Sequence, residues 1–445
     1  MALNTLQGLY GTRSPIYVTW STSGVSFINY VELEIYIWTG ARGSRSASPH
    51  ITINRTTGFG SNTTHTTDIS SLIADQLNTT IAKLFNDGIL SEQNGRIAWV
   101  QIDYEVSYNT NPINTVFDTG SSDIFQVIEG YSYFDEGSNY SYEESILSPK
   151  GILSTDNKFN TYEYNVEMMP VYLGEYGEGY DIIWGYKARV EADGGTVESL
   201  QCANIGWKTL RILLDDGNYY DYEMTESQLY GTEAEDRIKL LPSGVANLKN
   251  FLVAQGSSLD VVNADWYELQ LRDTFGTVLD SRRLYPTCEI KYEPVMLAYI
   301  SRYGTWNYAT FFKRNEQTID VTSQQYRTII GNVQSGAYTY GLHNPMYKKY
   351  NTNAKRRISL NSGFVSEEFK EVMEQILLSE YVLIVTADKR TVVKDGSTYT
   401  YTASNGAVAV NVATTSVVKK QSVNEKLIDY TLDLEYAFDE LNSTL

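Results

Sequence analysis

The stretch Leu214–Glu223, LDDGNYYDYE, gathers Asp215, Asp216, Asp221 and Glu223 around Tyr219, Tyr220 and Tyr222. Two carboxylates about 5–10 Å apart are what a glycosidase needs, one as acid and one as base or nucleophile. Acidic residues are common throughout the chain, with 54 Asp and Glu in 445 residues, so a solvated acidic surface accounts for this group more simply. Histidine is scarce. His50, His65 and His343 stand outside any H-x-x-H or HExxH pattern, so a metal site built on histidine is not expected. His343 sits in GLHNPMYKK, a turn context that suits a structural or exposed side chain. Neither a G-x-S-x-G elbow nor a G-x-x-x-x-G-K-[ST] phosphate loop occurs. Cys202 and Cys288 form no disulfide framework and no ligand spacing, as expected for free thiols in a reducing cytoplasm. The expectation is a protein that is not an enzyme and has no catalytic, cofactor-binding or metal-binding residues.

One charge reversal stands out. Lys348, Lys349, Lys355, Arg356 and Arg357 fall within ten residues of a chain whose formal net charge is -19. Such an acidic protein repels DNA and anionic membranes, which argues against sequence-specific DNA binding. The cluster has three readings: a solvated basic loop, a docking patch for an acidic face of a neighbouring molecule, or a direct DNA contact. The docking reading expects Lys355, Arg356 and Arg357, which open a strand, to face a partner.

The elements around these residues read as β-structure. The length fits about two to four domains. Hydrophobic residues at 42% and charged residues at 20% describe a globular chain, and 36 tyrosines against 14 Phe and 7 Trp favour pleated, half-wet surfaces. No apolar run reaches the roughly 18 residues that would span a bilayer, so no membrane insertion is expected. The opening MALNTLQGLYGTRSP lacks a basic start and apolar core, so no secretory signal is expected, and sequons such as Asn54-Arg55-Thr56 are read as accidental.

Strands are expected at Ile16–Trp20, Val31–Trp38, Ile51–Asn54 and Arg96–Tyr108. A helix capped by Asp68 is expected to carry Ile69, Leu72, Ile73, Leu77, Ile81, Leu84 and Phe85 on one face. Together these make a β-sandwich-like domain over residues 1–108. Residues 109–165 are the least regular and read as an extended arm or interdomain loops, with Gly130–Tyr142, GYSYFDEGSNYSY, as a candidate aromatic rim. Residues 166–287 read as a second β-domain with strands at Pro170–Leu173, Tyr180–Glu191, Lys208–Asp215, Arg237–Leu241 and Trp266–Asp273. Residues 288–445 form a β-rich domain with one covering helix at 366–379, its stripe being Phe369, Val372, Met373, Ile376 and Leu377. Strands flank that helix at Arg356–Leu360 and Tyr381–Val385, and a last one runs over Leu427–Phe438. The fold class is therefore mainly β: tandem β-sandwich-like domains followed by a C-terminal α+β sheet domain.

That last domain opens with CEIKYEPVMLAYISRYGTWNYATFFK, in which Gly304 allows a tight reversal. Tyr303, Trp306, Tyr308, Phe311 and Phe312 crowd around it as a hydrophobic core or an interface. The order of ISRYGTWNYATFFK, RRISLNSGFVSEEFKEVMEQILLSEYVLIV and NEKLIDYTLDLEYAFDELN resembles neck and tail ring proteins of tailed phages infecting Bacteroidetes, the crAss-like short-tailed phages and their relatives. The resemblance covers Cys288 to Asn442 and is fainter before it. It implies a virion structural protein, assembled in the host cytoplasm into a homo-oligomeric ring of the neck or tail. The implied partners are copies of itself, the portal and other ring proteins, with DNA passing through unread. The alternative is a receptor- or carbohydrate-binding tail protein that uses its tyrosine-rich loops.

Overall fold

A computed structural model describes residues 2–4, 6, 8–21, 27–56, 64–77, 90–91, 97–111, 114–140, 158–161, 168–172, 176–177, 180–183, 186–189, 209–223, 238–272, 276, 278–286, 292, 294–328, 331–365, 369–385, 391–394, 397–400, 407–418 and 428–439. The chain is mainly β, in sandwich-like units with short covering helices. Both cysteines lie outside the described residues.

In the N-terminal unit, alternation sets the strands. Val31, Leu33, Ile35 and Ile37 on Phe27–Trp38 lie opposite Val106, Tyr104, Ile102 and Val100 on Ile97–Asn111. Period-2 side chains share one face, so a single apolar surface results. The three-stranded sheet Ala2–Leu3, Tyr17–Ser21 and Thr64–Asp68 covers it, burying Val18 and Trp20 against Val31, Leu33 and Ile35. The helix is shorter than expected. It spans Ser70–Ala74, Asp68 accepts from the Ser70 and Ile16 amides, and Ile81, Leu84 and Phe85 lie outside the described residues.

Residues 109–165 are not simply an arm. Asn114–Ser121 folds back along Ile97–Asn111, and Phe125–Ile128 lies between that strand and Leu9–Gly11. The unit thus continues beyond Tyr108 to at least Ile128, because Phe125 and Val127 complete its core. The described part of Gly130–Tyr142, residues 130–140, has a core side, since Tyr131 is buried and the Asn139 side chain bonds both the amide and the carbonyl of Tyr17.

The middle unit is a five-stranded sheet ordered Lys158–Thr161, Val278–Pro286, Tyr267–Arg272, Thr209–Leu214 and Tyr219–Glu223. Only strands were expected here, yet Val245–Ala254 is a helix. Its Val245, Leu248, Phe251 and Leu252 recur at helical spacing and pack on Leu210, Ile212, Leu269 and Leu271. Glu268 is buried among hydrogen bonds. Burial by itself pushes its carboxyl up, but Gln270, Arg283 and Ser281 donate to the ionised form and bring it below the usual glutamate range.

The C-terminal unit is a seven-stranded sheet ordered Trp306–Phe311, Val295–Ile300, Val382–Val385, Ala407–Val412, Thr431–Asp439, Tyr347–Asn361 and Glu316–Arg327. The two edge strands are consecutive in sequence. A flat sheet would set them roughly 29 Å apart, at about 4.8 Å per strand spacing. The linking residues from Phe311 to Glu316 can span only about 18 Å. The sheet must therefore roll, and the Lys313 amide indeed reaches the Asn361 carbonyl at 3.2 Å. Helix Phe369–Leu378 packs Met373 and Ile376 into the apolar face of the roll. Full burial of two such side chains contributes about 1.5–3 kcal/mol each.

The turn Ser301–Gly304 joins this sheet to the N-terminal one. Tyr303 enters the outer face of the N-terminal sheet among Leu9, Trp38, Trp99 and Ile128. The Arg302 guanidinium pairs with Glu136 at 2.8 Å and lies 4.7 Å from the ring centres of both Tyr133 and Tyr303. The Tyr131 amide donates to the Arg302 carbonyl. Burial raises the Tyr133 and Tyr303 hydroxyls to about 12. A second tie runs from Arg13 to the Leu378 carbonyl and to Glu380, both at 3.0 Å.

Two predictions follow from the packing. Gly304 has φ +76, and a Cβ there would lie 2.7 Å from the Glu129 carbonyl oxygen, whereas Gly276 at φ +81 has open space. Gly304→Ala should therefore cost about 1–3 kcal/mol more than Gly276→Ala in denaturant unfolding, the excess being the clash rather than the shared backbone strain. Glu268 has a lowered folded pKa, so its contribution is present above the ordinary glutamate range and lost as pH falls through the folded value. Stability measured from about pH 6 to about pH 2 should fall less steeply in Glu268→Gln than in the parent.

Candidate interaction site

All five cations of the basic cluster lie on one strand, Tyr347–Asn361, which pairs antiparallel with Glu316–Arg327. An irregularity between Thr322 and Gln324 divides this hairpin into a base and an outer arm.

The base has two unlike faces. On one, Leu360 and Ile358 point into the core, and the same side continues through Arg356 and Ala354 opposite Ile319 and Val321. On the neighbouring strand Leu432 and Leu434 are buried, while Tyr436 is half-buried and Phe438 is exposed. The apolar face thus runs out past the core into water, leaving Ile319 55%, Val321 60% and Phe438 64% exposed. The opposite face is a charge ladder. Arg357 meets Asp320 at 3.0 Å and Glu435 at 3.0 Å, and Lys355 meets Glu435 at 2.7 Å. The hydrogen bond from Lys355, then that from Arg357, holds the Glu435 carboxyl below its usual range. Arg356, on the other face, lies 5.8 Å from the Tyr436 ring centre.

Lys355, Arg356 and Arg357, expected to face a partner, also have neighbours within the chain. All three are engaged within the sheet, because Glu435 and Tyr436 come from a strand some 80 residues later that pairs beside them. The outer arm differs. Lys348 and Lys349 are exposed, as is Arg327 across from Tyr347, and none of the three forms an ion pair among the described residues. Lys348 lies opposite Tyr326 and shares its face with Tyr350, whose ring meets Tyr326 edge-on at 5.5 Å. Arg327, Tyr347 and Lys349 share the other face. Each face therefore carries tyrosine and cation together, and both are wet. Leu342, Met346 and Tyr338 add exposed apolar surface near the end of the arm.

The sequence reading missed the strand Glu316–Arg327, EQTIDVTSQQYR. Ile319 and Val321 alternate, but polar residues on both sides of the arm remove the core-face signal. The β-branched Thr318, Ile319, Val321 and Thr322 were the available clue.

The aromatic cluster is divided among three packing groups. Tyr303 fills the joint with the N-terminal sheet, Trp306 and the half-buried Tyr308 pack with Met296, Ala298 and Ala246, and Phe311 meets Phe369 in the rolled core. Phe312 is half-buried beside it.

The tyrosine-flanked carboxylates also separate. Arg211 holds Asp221 through two hydrogen bonds of 2.6 Å. Asp216 is bonded by Asn218, and Asp215 accepts from the Asp265 amide. Tyr220 and Tyr222 turn to the core while Tyr219, Asp221 and Glu223 stay exposed. His50 Nδ1 accepts from the Ile37 amide at 3.1 Å, a structural role, and His343 is exposed in a turn. Among the described residues there is no group of three or more His, Cys, Asp or Glu placed to hold a metal, and no helix long and apolar enough to cross a membrane.

No protein-family model matches the chain, and no curated protein matches it significantly. Among solved structures, the periplasmic chaperone SfaE is similar at 7% identity over 64% of this chain and 99% of its own, with a TM-score of 0.17. A Ca2+-stabilized adhesin that helps an Antarctic bacterium bind ice is similar at 11% identity over 98% of this chain and 97% of its own, also at 0.17. At that TM-score neither likeness carries an argument.

The ladder at the base is exposed to solvent and therefore screened. Replacing Lys355 and Arg357 by Ser should lower the melting temperature slightly at low salt. The difference from the parent should shrink as salt rises, and circular dichroism melts over a salt series check both.

Proposed function

We propose that this chain is a structural component of a tailed-phage virion that assembles as a homo-oligomeric ring of the neck or tail, around a DNA path. The observation that carries this reading is the projecting hairpin: a 12-residue edge strand, exposed along nearly its whole length, with apolar residues left in water. A free edge of this kind is a pairing and aggregation hazard unless another chain covers it. A ring supplies that cover, since a head-to-tail contact between unlike surfaces closes when its rotation does. The resemblance of Cys288–Asn442 to phage ring proteins points the same way, and an excess of 19 acidic charges suits a passage that DNA must not stick to.

In this reading the chain is not an enzyme, works in the virion after assembly in the host cytoplasm, and meets the portal or other ring proteins. The receptor-binding alternative has less support, because Tyr131 and Tyr133 of the expected aromatic rim turn into the joint with Arg302.

Electron microscopy of whole particles tests the proposal. Symmetry-averaged density for this chain should form a closed ring in the neck or tail. Single peripheral copies at the distal tip would overturn it in favour of the receptor reading. Turnover of host polysaccharide that vanishes on replacing one carboxylate would overturn the non-enzymatic part.

A further inference from the structure

The hairpin segment Glu316–Asn361 carries six Lys and Arg against two carboxylates, in a chain with 35 of the former and 54 of the latter. With Lys355 and Arg357 paired at the base, Arg327, Lys348 and Lys349 on the outer arm have no ion pair among the described residues. The middle unit holds a complementary surface. A cleft of about 630 Å3 opens where its sheet turns, lined by Asp215, Asp216, Asn218, Tyr219, Asp260 and Asn263. Local turns orient these carboxylates. Asn218 bonds Asp216 at 2.7 and 2.8 Å, Asn263 bonds Asp260 at 2.6 Å, and the Asp265 amide bonds Asp215 at 3.2 Å. No cation pairs with Asp215, Asp216 or Asp260 at salt-bridge distance among the described residues. The hydrogen bond from Asn263 is the main cause that holds Asp260 below the usual carboxylate range.

We infer that the outer arm of one copy docks through Arg327, Lys348 and Lys349 into the carboxylate-lined cleft of the next copy. This deepens the ring reading and rests on it. The two surfaces are opposite in charge, neither has a salt bridge among the described residues, and they lie on different units. When the arm of each copy enters the cleft of the next, the contact is heterologous and repeats from copy to copy, as a ring requires. Tyrosines flank the cations on both faces of the arm, and Tyr219 stands exposed at the cleft, so aromatic contact area accompanies the charges. Duplex DNA is the competing polyanion, and the acidity of the rest of the chain disfavours it.

The test is a charge swap in the full-length chain. Lys348→Glu with Lys349→Glu makes an acidic arm; Asp216→Lys with Asp260→Lys makes a basic cleft. Self-association is followed by sedimentation velocity at low ionic strength, with circular dichroism to confirm folding. Each variant alone should associate about tenfold or more weakly than the parent, and an equimolar mixture of the two should recover association, because every arm then meets a cleft of opposite sign. Where the parent is monomeric in isolation, the same comparison is read from incorporation into particles during infection.

Association of the acidic-arm variant equal to the parent would overturn the inference and leave the ring standing. Loss in both variants without recovery on mixing would also overturn it. If the reversed cleft does not fold, Asp216→Asn takes its place. Combined with Lys348→Gln in one chain, it should weaken assembly no more than either change alone, and simple additivity would count against the contact. Retention of the parent but not the acidic-arm variant on duplex DNA, with self-association unchanged, would assign the arm to nucleic acid instead. A parent absent from any ring in particles is the separate failure, that of the ring reading itself.

Discussion

Arg302 carries a full charge into the joint between the N-terminal and C-terminal sheets, where only 8% of its side chain stays exposed. A buried guanidinium is tolerable only when its charge and donors are met, and here Glu136 supplies the counter-charge while Tyr133 and Tyr303 offer aromatic faces. Removing one partner of such a pair costs far more than the pair contributes, because the remaining ion is left in poor solvent. The joint therefore fixes which segments meet: the 3-10 turn Phe134–Glu136, the strand ending at Ile128 and the turn Ser301–Gly304. Gly304 completes it, since a side chain there would collide with the Glu129 backbone.

With that end fixed, the roll of the C-terminal sheet determines what can project. The short link from Phe311 to Glu316 forces the first and last strands of the sheet towards each other, and the core fills the roll with Leu297, Tyr299, Leu360 and Leu434. The strands Glu316–Arg327 and Tyr347–Asn361 are longer than this core. Their outer halves therefore leave it, and the irregularity at Thr322 marks the point of departure. The arm is thus a consequence of strand length against core size. Its exposed Tyr326, Tyr347 and Tyr350 sit on paired strands rather than in a loop, which limits the conformational entropy lost on binding.

Electrostatics then separates the hairpin into two zones. At the base, cross-strand neighbours of opposite sign neutralise one another, the favourable pairing for a sheet surface. Among the described residues no third strand lies alongside the outer arm, so no cross-strand carboxylate meets Arg327, Lys348 or Lys349 in a protein that is otherwise strongly acidic. Charge of this kind contributes more to orientation and encounter rate than to affinity.

Much of the fold was legible in the sequence. The alternation in Val31–Trp38, and in the parts of Arg96–Tyr108 and Leu427–Phe438 that fall in Ile97–Asn111 and Thr431–Asp439, marks half-buried strands because burial on one face imposes a period of two. The stripe Phe369, Val372, Met373, Ile376 identifies the C-terminal helix for the same reason at a period of 3.6. The mainly β class and the existence of a cationic cluster were likewise fixed by local composition. Other features were decided only by residues brought together from far apart. The strand Phe125–Ile128 is assigned to the N-terminal unit by its pairing with Leu9–Gly11, a relation of more than 100 positions that no local pattern encodes. The helix Val245–Ala254 has its apolar spacing, but the surrounding strands hid it. Whether a lysine on Tyr347–Asn361 is free or spent depends on the neighbour that the sheet order places beside it. Glu435 neutralises Lys355 and Arg357, and no described carboxylate pairs with Lys348 or Lys349, so cations that look alike in sequence take different roles in the folded protein.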